Sequence, residues 1–211
     1  PRIREAVVTV LVTGGTGKLG SALVPVLDAP RVLSRRAGPG RVVGDLRSGE
    51  GVDDAVAGAS VVVHCATGAR RDAAATSRLV EAARRAGTAH LVYVSIVGCD
   101  RIPLFYYREK FRAERIVEGS GPGWTILRAT QFHELLDQAF GVVSRTGLLP
   151  VLADTAFQPI AVADVAARLA VLVAGPPQGR VADLGGPEVR PMVDLARAWL
   201  AATGRRRPVV P

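Results

Sequence analysis

The chain has 211 residues, 48% of them apolar, and a formal net charge of +8. That length suits one domain with a sizeable core, the composition argues against disorder, and no apolar run reaches the roughly eighteen residues of a membrane span. The charge comes from scattered arginines, with short clusters at Arg35-Arg36, Arg70-Arg71, Arg84-Arg85 and Arg205 to Arg207. Aromatics are only 5% of the chain and do not interleave with these clusters as a base-stacking surface requires, so neither nucleic acid nor membrane is expected as a partner. No charged-then-apolar signal segment opens the sequence, and Cys65 and Cys99 have no metal-ligand spacing. A cytoplasmic protein with reduced thiols and no bound metal is expected.

The first run, Ala6 to Val12, is short, apolar and β-branched, as an inner parallel strand should be. Thr13-Gly14-Gly15-Thr16-Gly17-Lys18-Leu19-Gly20 follows, and Leu19, Leu23, Val24 and Leu27 then recur at helical spacing. Glycines at 14, 17 and 20 allow a tight turn, a close approach to a pyrophosphate and close packing of helix on strand; the amides of the helix start attract the anion. A dinucleotide site at Gly14, Thr16, Gly17, Lys18, Leu19 and Gly20 is therefore expected.

Arg31 to Ser34 reads as the next strand, ending where such a fold reads the cofactor ribose, about twenty residues after the first glycine. An acidic residue there would favour NAD(H). This chain has Arg35 and Arg36, whose guanidinium groups suit a 2′-phosphate, so NADP(H) is favoured over NAD(H). Arg41 to Gly44 is a third strand, followed by Asp45-Leu46, where the aspartate either meets the adenine amino group or caps a helix starting near Gly49.

A fourth strand, Ser60 to His64, leads into Cys65-Ala66-Thr67-Gly68, whose small residues at the sheet's carboxyl edge leave the cofactor room, with Ala66 and Thr67 against it. His64 ends an apolar run and is read as structural. Residues 73–86 form an amphipathic helix with Leu79, Val80 and Ala83 inward and Gly87 closing it. His90 to Val94 is the fifth strand. Regular alternation of strand and helix implies an α/β fold with a doubly wound parallel sheet.

A helix is expected from near Pro103, placing Tyr106 and Lys110 four residues apart on one face, with Ser95 eleven residues before Tyr106 at a strand end. A phenol serves as a proton donor near neutrality if a neighbouring ammonium lowers its pKa, and a serine hydroxyl can hold a carbonyl. Lys110 is one of only two lysines among 27 basic residues, the other being Lys18. Trp124 to Ala129 reads as a sixth strand, residues 133–145 as a helix, Asp164 as a charge near a helix start, Arg180 to Leu184 as a last strand and Pro191 to Ala202 as a closing helix.

Taken together, the glycine motif at 13–20, Asp45-Leu46, Tyr93 to Gly98, the Tyr106-to-Lys110 run and Trp124 to Phe132 resemble an atypical short-chain dehydrogenase/reductase of the NmrA-like, NAD(P)H-binding branch, over essentially the whole chain. The resemblance implies one Rossmann domain over residues 1–211 with a small C-terminal substrate lobe at about 131–150 and 186–211. It implies Tyr106 as general acid/base, Lys110 on the nicotinamide ribose and tuning that tyrosine, and Ser95 as carbonyl partner. Tyr107, adjacent and also near Lys110 on a helix, competes for the acid's role. Gln131, Phe132 and His133 would line the pocket of a small apolar substrate. The branch contains NADP-dependent oxidoreductases and also members that bind the cofactor as redox sensors or regulators without chemistry. Exposed helices would permit an oligomer.

Overall fold

The computed structural model describes residues 8–68 and 71–210, so Ala6, Val7 and Arg70 lie outside the described residues. The chain forms two compact units. The first runs to Arg128 and resumes over Ala163–Asp183; the second holds Ala129–Val162 and the residues from Leu184.

In the first unit the short β-branched runs become strands buried on both faces: β1 (Val10–Thr13), β2 (Arg31–Ser34), β4 (Val61–His64), β5 (His90–Ile96) and β6 (Gly123–Ala129), with the more exposed β3 (Arg41–Val43) and β9 (Gly179–Arg180) at the edges. They form a seven-stranded parallel sheet in the order β3-β2-β1-β4-β5-β6-β9. Strand order reverses between β1 and β4, and the crevice outside their carboxyl ends is where open α/β sheets take ligands. Helices α2 (Val52–Val56), α3 (Asp72–Arg85) and α4 (Phe105–Glu118) share one core with Leu11, Leu33, Val62, Leu91, Tyr93 and Ile126 of the sheet. Gly87, at φ +70°, ends α3 in the left-handed conformation, and the Thr88 N–H bonds back to Ala83 O. Helix α6 (Val162–Ala174) precedes β9.

Two elements are shorter than the sequence predicts. The helix after the glycine turn, α1, covers only Lys18–Leu23 and tightens into a 3₁₀ turn over Val24–Val26, because Pro25 has no N–H to continue the ladder. The last strand is cut to Gly179–Arg180, pairing with Thr125 and Ile126, while Leu184 makes a separate bridge to Ala129 within the second unit. That unit holds α5 (His133–Val143), β7 (Leu149–Pro150), β8 (Ala156–Phe157), β10 (Arg190–Pro191), α7 (Met192–Ala202) and β11 (Val209–Val210) around a core of Leu136, Phe140, Leu149, Val151, Ala196 and Leu200. Val209 and Val210 pair in parallel with Leu149 and Pro150.

Candidate cofactor and proton-transfer site

Gly14 sits at φ +71°, and a Cβ there would lie 2.5 Å from Ala66 N, so the glycine turn and the turn after β4 are in backbone contact. A Cβ on Gly20 would lie 2.2 Å from Gly14 O, which locks α1 against the same turn. Gly17 precedes α1 in extended conformation, and a Cβ there would meet only Gly14 O, at 3.2 Å. The first amides of α1 have no acceptor within the helix. Crowded at Gly14 and Gly20, open at Gly17, this cradle fits a pyrophosphate. Thr16, Gly17 and Lys18 are exposed on it and Leu19 and Gly20 are buried beneath.

Towards the sheet edge, a cleft of about 460 Å³ is lined by Arg35, Val43, Gly44 and Asp45 together with Glu50 and Asp54. Arg35 and Arg36 are exposed, and the Arg36 N–H bonds to Ser34 Oγ. Asp45 caps a turn, Oδ1 accepting the Arg47 N–H at 2.8 Å, and the following helix starts later, at Val52, with Gly51 before it. Leu46, next in the chain, is buried in the core.

Register places Thr13, His64 and Tyr93 level with one another on β1, β4 and β5. Thr13 Oγ1 lies 2.7 Å from His64 Nδ1, His64 Nε2 lies 3.0 Å from Thr76 Oγ1, and Thr76 Oγ1 donates to Asp72 O at 2.8 Å. Since the Thr76 proton goes to a carbonyl, Thr76 accepts from His64 Nε2–H, and Nδ1 accepts from Thr13. Burial, with Lys110 adding to it, brings the His64 pKa down to about 3. His64 is thus a neutral structural histidine that ties β1 to β4 across the point of reversal.

Tyr106, in the first turn of α4, reaches Thr67 Oγ1 with its hydroxyl at 3.1 Å. Thr67 donates to Asp72 Oδ2 at 2.7 Å, the Gly68 N–H donates to Asp72 Oδ1, and Lys110 Nζ lies 3.4 Å from Asp72 Oδ2. Lys110 also donates to Val94 O at 3.3 Å and sits 5.1 Å from the centre of the Tyr93 ring. Burial opposes the Lys110 charge, but Tyr93 and Asp72 outweigh it and hold the pKa above the ordinary lysine value. Tyr107 packs edge-on to the Tyr106 ring, and of the two tyrosines it is Tyr106 that touches Thr67.

Two placements bear on the roles that the resemblance implies. Lys110 is engaged by Asp72, and burial, the largest influence on the Tyr106 pKa, raises it, with the Asp72 charge adding to the rise. Ser95 does not join Tyr106 through any described hydrogen bond. Gly98, at φ +81°, folds the chain back so that Cys99 Sγ lies 3.7 Å from Ser95 Oγ and donates to Glu114 Oε1 at 3.2 Å. Glu114 is held by Arg128 through bonds of 2.8 and 2.7 Å, and Arg128 also meets Asp100 at 3.1 Å. Ser95, Glu114 and Arg128 are all buried, so this serine belongs to a buried ion-pair network. Burial raises both Cys65 and Cys99 to about 12, and both thiols are free.

Asp72 was missed by sequence reasoning. Its one signal, an acidic residue at a helix start, is also what any helix dipole favours. The expected substrate residues lie in the second unit, where Gln131 O accepts the Ile160 N–H, Phe132 pairs with Ile160 and precedes α5, and exposed His133 opens that helix.

Residues 14–174 match the model of an NAD(P)H-binding family. The chain belongs to that family. No protein of curated function matches the sequence. Among solved structures, it resembles the triphenylmethane reductase of Citrobacter sp. complexed with NADP(H), at 17% identity and a TM-score of 0.80 over 96% of this chain and 79% of that one. An NADPH-dependent quinone oxidoreductase of Escherichia coli complexed with NADPH gives 21% identity and a TM-score of 0.83 over 95% and 77%. A UDP-N-acetylglucosamine 4-epimerase from Bacillus cereus gives 19% and 0.75 over 96% and 84%. These likenesses carry the Rossmann fold. Among the described residues of this NAD(P)H-binding protein, no helix is long and apolar enough to cross a membrane.

Proposed function

We propose that this chain is a reductase that uses NADP(H) in preference to NAD(H), with Tyr106 as the proton donor to a carbonyl or quinone oxygen of a small apolar substrate. The observation that carries this reading is the position of the Tyr106 hydroxyl. It bonds to Thr67, the residue after Ala66, and Ala66 is the backbone that closes on Gly14 of the cradle. A phenol beside a dinucleotide cradle stands where a proton is needed when the cofactor, bound, supplies hydride.

In this reading Gly14, Thr16, Gly17, Lys18, Leu19 and Gly20 hold the pyrophosphate, Arg35 and Arg36 the 2′-phosphate, Asp45 and Leu46 the adenine end, and Ala66 and Thr67 flank the nicotinamide half. Lys110 braces the site through Asp72. Gln131, Phe132 and His133 contribute to substrate contact, and residues 131–150 and 186–211 form a substrate lobe. The two free thiols suit the cytoplasm.

A second reading, a cofactor-binding redox sensor without chemistry, is favoured by the withdrawal of Ser95 into the Glu114–Arg128 network and by the raised Tyr106 pKa. NADPH consumption over a panel of quinones and ketones separates the two. Steady turnover with any member supports the reductase; tight binding with no turnover on the whole panel supports the sensor.

A further inference from the structure

The Tyr106 hydroxyl has one proton, and its neighbours decide where that proton points. Asp72 is buried at the first position of α3, and both of its carboxylate oxygens face donors, the Gly68 N–H at Oδ1 and the buried Lys110 ammonium at Oδ2, so it accepts. The single Thr67 proton therefore goes to Asp72 Oδ2, at 2.7 Å. Thr67 Oγ1 then meets Tyr106 Oη, 3.1 Å away, as the acceptor. The tyrosine proton is directed into the protein, and only lone pairs of Oη remain for another group.

We propose that Asp72 is the positioning residue of this site: through Thr67 it aims the Tyr106 proton inward, and it takes the Lys110 ammonium as its own counter-ion. The consequence for catalysis rests on the reductase reading. A phenol held this way receives a hydrogen bond from an alcohol as it stands, and turns its proton away from Thr67 before giving it to a carbonyl oxygen.

Of the titratable groups around Tyr106, Tyr107 packs on its ring, Asp72 reaches it through Thr67 and Tyr93 acts on it electrostatically, while Lys110 touches Asp72 and Tyr93, and His64 touches Tyr93. His64 is neutral, and burial makes Tyr93 a weaker acid than an ordinary phenol. A hydrogen bond donated by Thr67 would ease Tyr106 ionisation, but the one Thr67 proton is already placed on Asp72 Oδ2.

Ultraviolet titration of tyrosinate in the full chain without cofactor, with Tyr106→Phe as the subtraction control, reads this directly. Tyr106 is expected to ionise above the ordinary phenol value of about 10. Asp72→Asn is expected to lower that midpoint by about one pH unit. Thr67→Ala lowers it too, by removing the acceptor of the phenol proton, and Thr67→Ser restores it. A rise in Thr67→Ala would mean that Thr67 donates to Tyr106 and would overturn the proposal, as would midpoints unmoved in the folded variants. Thr67 is exposed, so its two variants decide the matter even if Asp72→Asn fails to fold. The titration needs no turnover. An inactive protein with shifted midpoints sinks only the reductase reading, and an active one with unmoved midpoints sinks only this proposal.

Discussion

At the scale of single residues, Tyr106 and Glu114 make opposite predictions. Tyr106 is half-buried at the edge of the site, with a hydroxyl bonded to Thr67 and little else depending on it. Tyr106→Phe is expected to cut turnover by about 10²–10⁴-fold while leaving the NADPH dissociation constant within about twofold; steady-state rates beside a binding titration check the split. Glu114 is buried under the Arg128 guanidinium, the Cys99 thiol and Ser95. Removing it strands a buried cation, so Glu114→Ala is expected to cost about 3–5 kcal/mol in denaturant unfolding. Tyr106 and Lys110 were legible in the sequence because helical spacing puts them on one face. Asp72 and Glu114 were not, because nothing local in a sequence says that an acidic residue will be covered by another element and find its cation there, Lys110 of α4 for Asp72 and Arg128 of β6 for Glu114.

At the scale of elements, the strand–turn–helix unit from Val10 to Leu23 was readable because each of its glycines answers a local steric demand. The backbone contact between Gly20 and Gly14 leaves no room for a methyl group. Gly20→Ala is therefore expected to push α1 off the turn and weaken NADPH binding by about tenfold or more, near 1.4 kcal/mol, checked by fluorescence titration. The strand at 180–184 is shorter than expected because a short run does not reveal whether a partner strand reaches all of it; here the paired ladder with β6 ends at Arg180 and the chain passes to the second unit. Ser95 shows the same limit. Its place at the end of β5 was readable, but the left-handed Gly98 turn that brings Cys99 over it was not.

At the scale of the whole molecule, two kinds of buried group set the response to acid. His64 stays neutral when folded, its pKa brought down to about 3, while the unfolded chain protonates near 6.5, so its contribution is complete above pH 6.5 and is lost as pH falls towards 3. His90, lowered chiefly by burial, acts with the same sign. Burial pushes Glu114 up, but the hydrogen bonds of Arg128, Ser95 and Cys99 together hold it below its ordinary 4.5, so its contribution is present above 4.5 and lost below it. Denaturant midpoints are expected to fall in two stages, from just below pH 6.5 and more steeply below about 4.5, and His64→Gln is expected to flatten the first.

The seven-stranded parallel sheet, the cradle at its point of strand reversal and the arginine pair after β2 support one proposal together: that this NAD(P)H-binding molecule takes NADPH by its 2′-phosphate. Nicotinamide fluorescence on titration with NADPH and NADH, for the native protein and for the double variant Arg35→Ala/Arg36→Ala, tests that claim most directly. The expected result is tighter binding of NADPH than NADH, with the difference erased in the variant. Equal affinity for both in the native protein would contradict the 2′-phosphate reading, and binding of neither would contradict the site itself.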